Sequence, residues 1–578
     1  MKRFRWLMVV PVMLLAVAAY AASAFGSRVS PNSRSRSGGR SSSGTWTGKI
    51  GGKVVIDNES GATWNCQFNP LNPADFGAGT SFGLIYEPLM FVNILRSTAA
   101  PKPMLASSYS WSNHYKTLTF TIRKGVKWTD GVPFSAKDVV YTFNAIKNDK
   151  ALDINSLFTN DGGALESVTA KGPDQVVFHF KDSAVPSFYY VADQTAIVPQ
   201  HIWSKLPQSK LATYTDTHPV GTGPYKLQSC SAQNIQYTRN PHYWQSTKSN
   251  PVPKIETIDY PAFLSNTPAN LELQQGQAQW GGQYIPNVDS FFIQGKPTRH
   301  IWYPATQNVA LVPNLSNPLL GQLAVRQAIV AALNKKHIAL LGEGGEEQAA
   351  NQTAVVTPTF SAWVDSAVKQ PVYDPSKAEA ILKKAGFKKN SSGIFEKNGR
   401  PLSFTIKTIT GYTDWDADLQ IIQQELMAVG IKVTVQDEAS NTYESALQSG
   451  HFQLAYAGSG GPGAISPGPS PYYELRGWLL SANIGSTNYE RYKNPATDAL
   501  LNSYAAASPA GQKKVIDKIQ QLMVNDIPFI PVTEGVDWFQ YIDQNVGGWP
   551  NASNPYAQPS PYSSPDVGQV AAALYPTK

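Results

Sequence analysis

Histidine and cysteine are the residue types that most often transfer protons, attack as nucleophiles or bind metal. The chain has eight histidines, His114, His179, His201, His218, His242, His300, His337 and His451, and two cysteines, Cys66 and Cys230. No H-E-x-x-H occurs and neither cysteine neighbours a histidine, so no metal site and no thiol nucleophile is expected. G-x-S-x-G is absent, and Ser366 with Lys369 makes a lone S-x-x-K without S-D-N or K-T-G. Residues 342–347, GEGGEE, are glycine-rich, but their acids would repel phosphate and no G-K-[ST] follows, so a loop is expected. Asp414, Asp416 and Asp418 could pair carboxylates for glycoside hydrolysis. They stand where a helix begins, and stabilising its dipole is the simpler role. The expectation is a protein with no catalytic residue, no cofactor and no metal.

The elements that would position any site alternate between helix and strand. TLTFTI at 117–122 alternates with period two and reads as a half-buried strand, as does QVVFHF at 175–180. Ser135 and Asp138 form a capping box ahead of the apolar stripe Val139, Val140, Phe143 and Ile146. Asp374 is an N-cap, Pro375 a first helical residue and Gly386 a left-handed helix end. Leu419, Ile422, Leu426 and Val429 make a helical stripe stopped by Gly430, and a strand follows at 431–435. That order implies α/β layering.

The chain of 578 residues has a net charge of +7. Lys2, Arg3, Arg5, Arg28, Arg34, Arg36 and Arg40 are seven positives, and no acid precedes Asp57. Removing them leaves 7 − 7 = 0, so the body is near neutral and nucleic-acid binding has no basic face to use. Residues 6–25 are uncharged behind Lys2, Arg3 and Arg5 and end near Ala22-Ser23-Ala24. Residues 1–24 thus read as a cleaved signal peptide, or as an uncleaved membrane anchor to about residue 25. Either way the rest lies outside the cytoplasm, touching membrane only through this segment. Residues 26–48, rich in Ser, Gly and Arg, read as a flexible linker. Cys66 and Cys230 either pair or remain two separate buried thiols.

Several motifs recur in a known order: YEPL at 86–89, TFTIRKGVKWTDG at 119–131, SAKDVV at 135–140, IVPQHIW at 197–203, GTGPY at 221–225, RNP at 239–241 with YW at 243–244, LQQG at 273–276, VRQAI at 325–329 and YDPSKA at 373–378. From about residue 50 to about 540 the chain resembles the peptide-type extracytoplasmic solute-binding proteins of ABC importers, family 5. The resemblance implies an α/β, periplasmic-binding-protein-like two-lobed fold (class II, cluster C) with an extra inserted domain. Lobe I would comprise 49–85, 216–300 and 535–578, the inserted domain II 86–215, and lobe III 301–534. It also implies a monomer that closes on a small-molecule solute, an oligopeptide or an oligosaccharide, and docks on ABC permease subunits with their ATPases. A ligand sensor of the same fold is the alternative.

The chain departs from that family at one place. Peptide-binding members carry "GWxxDYxDP", whose carboxylate neutralises the peptide amino terminus. Here no acid occurs between Gly458 and Pro471, which puts peptides with a free amino terminus in doubt. TDW at 413–415 and PSPYY at 469–473 resemble the oligosaccharide-binding branch, and Arg476 and Trp478 follow. Tyr443 falls where peptide-binding relatives place a groove aromatic, and Tyr456 lies just ahead of the altered segment. Tyr412, Trp415, Tyr443, Tyr456, Tyr472 and Tyr473 are therefore the expected ligand-binding residues, with ordinary packing the alternative for each.

Overall fold

The computed structural model describes residues 34–37, 45–57, 63–72, 81–97, 99–155, 157–158, 165–458 and 468–578. The signal or anchor segment, most of the 26–48 linker and the altered stretch 459–467 lie outside the described residues. Among the described residues, no helix is long and apolar enough to cross a membrane.

Three sheets organise the chain. In the first, neighbours run Arg34–Ser37, Arg299–Tyr303, Gln540–Ile542, Trp280–Gly281, Lys53–Asp57, Thr257–Pro261, Asn234–Arg239 and Tyr225–Cys230. The second runs Gln348–Ala349, Ile530–Val536, Ala305–Pro313, Leu454–Gly458, Ser403–Ile409 and Lys432–Glu438. The third is an antiparallel set, Ala106–Ser112, Thr117–Ile122, Gln175–Phe180 and Leu165–Ala170, covered by helix Ala136–Lys147. That helix starts at the capping box read from sequence: the Ser135 side chain accepts from backbone, and Asp138 accepts from the Ser135 N–H. Val139, Phe143 and Ile146 are buried, while Val140 is only half-buried.

The first and second sheets are stitched together by two chain crossings. Arg299–Tyr303 passes through Pro304 into Ala305–Pro313, and Ile530–Val536 passes through Asp537 into Gln540–Ile542. The crossings are bonded to each other: Asp537 N donates to Pro304 O at 2.9 Å and Trp302 N to Phe539 O at 3.0 Å. Thr306 Oγ1 and Gln558 Nε2 also donate to the Asp537 carboxylate, at 3.1 and 3.0 Å. A compact apolar cluster, including Tyr284, Phe292, Tyr303, Val355, Val536 and Trp538, surrounds them.

Within the GTGPY motif Gly221 and Gly223 provide room: a Cβ on Gly221 would stand 1.9 Å from Ile85 O, and one on Gly223 2.4 Å from Leu84 O. Inside the segment expected to be an unstructured linker, Arg34–Ser37 pairs antiparallel with Arg299–Tyr303. The open edge of a sheet offers unpaired backbone groups, and any extended segment within reach can satisfy them. The alternative left open for the cysteines resolves toward pairing: Cys66 and Cys230 are bridged, with Cα atoms 5.7 Å apart.

The family-like motifs at 86–89 and 239–244 meet in this framework. Glu87, fully buried, accepts from the Tyr243 hydroxyl at 2.7 Å and the Trp244 indole at 2.8 Å. Arg123 lies over the Trp244 ring, 4.4 Å from its centroid. Burial pushes the Glu87 carboxyl up to about 7, against the pull of its hydrogen-bond donors. These residues join the third sheet's unit to the first.

Candidate functional site

The stretch after residue 468 folds as a helix, Pro471–Leu479, because Ser470 is extended and Pro471 has a φ already suited to the first helical position. All nine of its residues are buried. Tyr472 stacks on Tyr504, centroids 4.0 Å apart and planes within 10°. Tyr473 packs edge-on against Tyr189 and Tyr190, at 4.9 and 5.4 Å, and its hydroxyl donates to Pro186 O at 3.2 Å. Tyr189 and Tyr190 belong to the short helix Ser187–Ala192 beside the third sheet. Aromatic rings from two units distant in sequence therefore meet here. Ser183 Oγ adds a bond to Ala505 O at 3.0 Å along the same seam.

A second aromatic group lies at the start of helix Thr413–Ala428. Half-buried Tyr412 and Trp415 pack edge-on at 5.1 Å, and Trp415 packs edge-on against Tyr456 at 5.5 Å. A Cβ on Gly458 would meet the Trp415 ring at 3.7 Å, so this indole lies against the last residue before the altered segment. Tyr456 and Tyr443 sit deeper. Both are enclosed and their hydroxyls are spent on protein: Tyr443 donates to Tyr456 O at 2.7 Å, and Tyr456 donates to Asp418. Tyr456 thus packs against Trp415 from the interior, and Tyr443 holds the Tyr456 backbone. Contacts to the first sheet's unit close this end: Asn266 Nδ2 donates to Thr413 Oγ1 and Tyr284 Oη to Gly342 O, both at 3.2 Å.

The aspartates at this helix start have a different setting from the expected one. Asp414 and Asp416 occupy the first turn, as a dipole role requires, but Asp418 lies one turn further in and is fully buried. The 342–347 loop brings buried Glu343 and Glu347 to it. Burial raises all of these carboxyls, Asp414 to about 6 and Asp418 to about 7, with Glu343 and Glu347 driven well above the usual range. Such a set shares protons within the interior and offers no paired carboxylates to a sugar ring. Among the described residues no group of three or more His, Cys, Asp or Glu is placed to hold a metal ion.

Sequence reasoning missed Tyr189, Tyr190 and Tyr504. The aromatic run FYY at 188–190 was the available signal, but nothing in its spacing says that it faces residues almost three hundred positions away.

Residues 100–478 match the family described as "Bacterial extracellular solute-binding proteins, family 5 Middle". The oligopeptide-binding protein AppA of Bacillus subtilis is 25% identical over 542 residues, spanning 92% of this chain and 93% of its own. The nickel-binding periplasmic protein of Escherichia coli is 26% identical over 415 residues, 70% of this chain and 75% of its own. Among solved structures, a mannohexaose-bound periplasmic oligopeptide-binding protein of Thermotoga maritima has a TM-score of 0.82 at 24% identity, covering 91% of this chain and 98% of that one. AppA in complex with a nonapeptide gives 0.78 at 23% identity, covering 92% and 100%. The architecture is that of the two-lobed α/β periplasmic binding proteins with an inserted domain. Matched over most of its length and sharing that architecture, this chain belongs to family 5 of the bacterial extracellular solute-binding proteins.

Proposed function

We propose that the protein is the extracytoplasmic solute-binding component of an ABC importer of the peptide-transport type. It closes two lobes on an oligopeptide or a solute of similar size and presents it, as a monomer, to permease subunits and their ATPases. The observation that carries this reading is the pair of bonded crossings at Pro304 and Asp537. Two short connections between two sheets form a hinge that can turn without unfolding either side. Tyr412, Trp415, Tyr472 and Tyr473 then line the guest's path, with Tyr443 and Tyr456 behind them. The amino-terminal segment exports the body or holds it at the membrane, and no covalent chemistry is involved.

An oligosaccharide is the second reading. It is favoured by the absence of any acid between Gly458 and Pro471, and by aromatic faces suited to sugar rings. Thermal-shift screening of the full chain against oligopeptide and oligosaccharide panels tests both. A true ligand at about one hundred times its Kd should add roughly 2.7 kcal/mol of stability. Peptide shifts without sugar shifts support the first reading, the reverse supports the second, and turnover of either would replace both with an enzyme.

A further inference from the structure

Four buried acids of the second sheet's unit lie under the contacts that the first sheet's unit makes with it. Asp414 and Asp418 stand on helix Thr413–Ala428, and Glu343 and Glu347 on the loop after helix Lys335–Leu341. Gly342 lets this loop approach the helix, since a Cβ there would overlap Asp418 Oδ1. The Glu343 carboxyl donates to that of Asp418, which it can do only while it keeps its proton. The Tyr456 hydroxyl donates to the Asp418 carboxylate as well. Among the described residues none of the four acids makes an ion pair.

The charges packed around them give no relief. On helix Lys335–Leu341, Lys335 Nζ donates to Ala350 O and Gln352 Oε1 at 3.4 and 3.3 Å, and His337 Nδ1 lies 3.2 Å from Glu425. Lys336 on that helix and Lys432 at the edge strand are exposed, and Arg326 donates to three carbonyls. Asp416, Asp437 and Glu346 add negative charge, while Tyr562 and the Val536 backbone face Glu347. The first sheet's unit closes over this set. Tyr284 Oη donates to Gly342 O at 3.2 Å; burial, then the charge of Glu343, Asp414, Asp418 and Glu346, makes its hydroxyl hold its proton more firmly. Asn266 donates to Thr413 Oγ1 at 3.2 Å and to the Asp414 carboxylate. A Cβ on Gly411 would stand 2.6 Å from Leu264 O, so the two backbones touch here.

We propose that this seam is a proton-controlled latch on the solute clamp: the two units stay joined here while Glu343 and Asp418 share a proton, and part when it is lost. Loss of the proton leaves two carboxylates in contact beside Gly342. Their repulsion drives the loop from the helix and withdraws the carbonyl that Tyr284 holds. Parting lets water reach the acids and stabilises their ionised form, so opening releases protons and closing takes them up. Joining is therefore favoured most below the ordinary carboxyl value, near 4. It loses that advantage as pH rises through the joined values, about 6 for Asp414 and about 7 for Asp418. A captured solute is then held more tightly in acidic surroundings than at neutral pH. This deepens the solute-binding reading and rests on it.

The test needs no solute. Hydrogen exchange of the ligand-free full chain is followed at about pH 5 and about pH 7.5 and corrected for the intrinsic rate of each amide. The quantity read is the speed-up at 342–347 and 411–418 beyond that at strand Ala305–Pro313, which reports unfolding of the whole unit. An excess of about tenfold is expected, the effect of one proton over one pH unit. Glu343→Gln combined with Asp418→Asn keeps polar groups in place but removes the ionisation, and should abolish the excess. Tyr284→Phe, which removes the latch hydroxyl and alters no acid, guards against a double variant that fails to fold. Its seam should exchange several-fold faster already at about pH 5, and the difference between the two pH values should shrink. No excess in the parent, an excess that survives the double variant, or a Tyr284→Phe seam that exchanges as in the parent overturns the latch and leaves the solute-binding reading intact. An excess in the parent, with failure of every solute in the thermal-shift screen, supports the latch and overturns the reading of what it serves.

Discussion

Glu87 places a carboxylate between the Tyr243 hydroxyl and the Trp244 indole, deep inside the molecule and far along the chain from both. The motifs that carry the family resemblance are therefore framework, fixing one unit against another. Removing the carboxylate would strand the buried Tyr243 hydroxyl and the half-buried Trp244 indole, a stranded buried donor costing about 1–3 kcal/mol. Glu87→Ala is expected to lower the unfolding free energy by about 2–4 kcal/mol in urea melts, and to leave solute affinity of the folded protein unchanged. Sequence could show that Tyr86-Glu87 and Tyr243-Trp244 are special, but not that they touch, because 156 residues separate donor from acceptor. For the proposed aromatic site, residue types singled out Tyr412, Trp415, Tyr443, Tyr456, Tyr472 and Tyr473 but not their partners. The partners Tyr189 and Tyr190 come from the distant helix Ser187–Ala192.

Elements whose boundaries are set within a few residues were readable. The Ser135 and Asp138 box, Asp374 with Pro375, and the stop at Gly430 all act on backbone groups one turn away, and each stands in the structure as expected. Sheet order was not readable. Ala305–Pro313 pairs with Ile530–Val536, and Arg299–Tyr303 with Gln540–Ile542, across more than two hundred residues, and strand patterns carry no record of such partners. Nor could composition show that Arg34–Ser37 would add to an open edge. The Cys66–Cys230 bridge is a long-range tie of the same kind, fastening the end of strand Tyr225–Cys230 to the chain beyond Lys53–Asp57 across 164 residues. Closing so long a loop removes unfolded-state freedom equivalent to at most about 5 kcal/mol. The double variant Cys66→Ser, Cys230→Ser should lose a large part of that in chemical unfolding. A reducing agent should bring the parent protein to the same midpoint and leave the variant unmoved. A parent midpoint indifferent to reduction would show that the bridge does not form.

Across the whole molecule the unusual feature is how many acids are buried near the interface between units. Burial lifts Asp414 to about 6, Asp418 and Asp537 to about 7 and Glu534 to about 8, and drives Glu343 and Glu347 upward as well. A carboxyl whose pKa is higher folded than unfolded holds more protons when folded. Stability is then greatest below the unfolded value, near 4, and falls as pH rises through the folded value, by up to about 1.4 kcal/mol per pH unit for each group. Buried Lys335, pushed down to about 7, works the other way only above that pH, where the folded protein has released a proton that the unfolded chain still keeps. Urea melts should therefore show stability declining between about pH 5 and about pH 7, the window in which these acids lose protons unopposed. Asp418→Asn isolates one contributor. Its amide oxygen can still accept from Tyr456, but the group no longer ionises, so the variant should lose less stability over that window and match or exceed the parent at its upper end. If parent and variant fall with the same slope, Asp418 does not titrate there, and the shared-proton account of the Glu343, Glu347, Asp414 and Asp418 set is wrong.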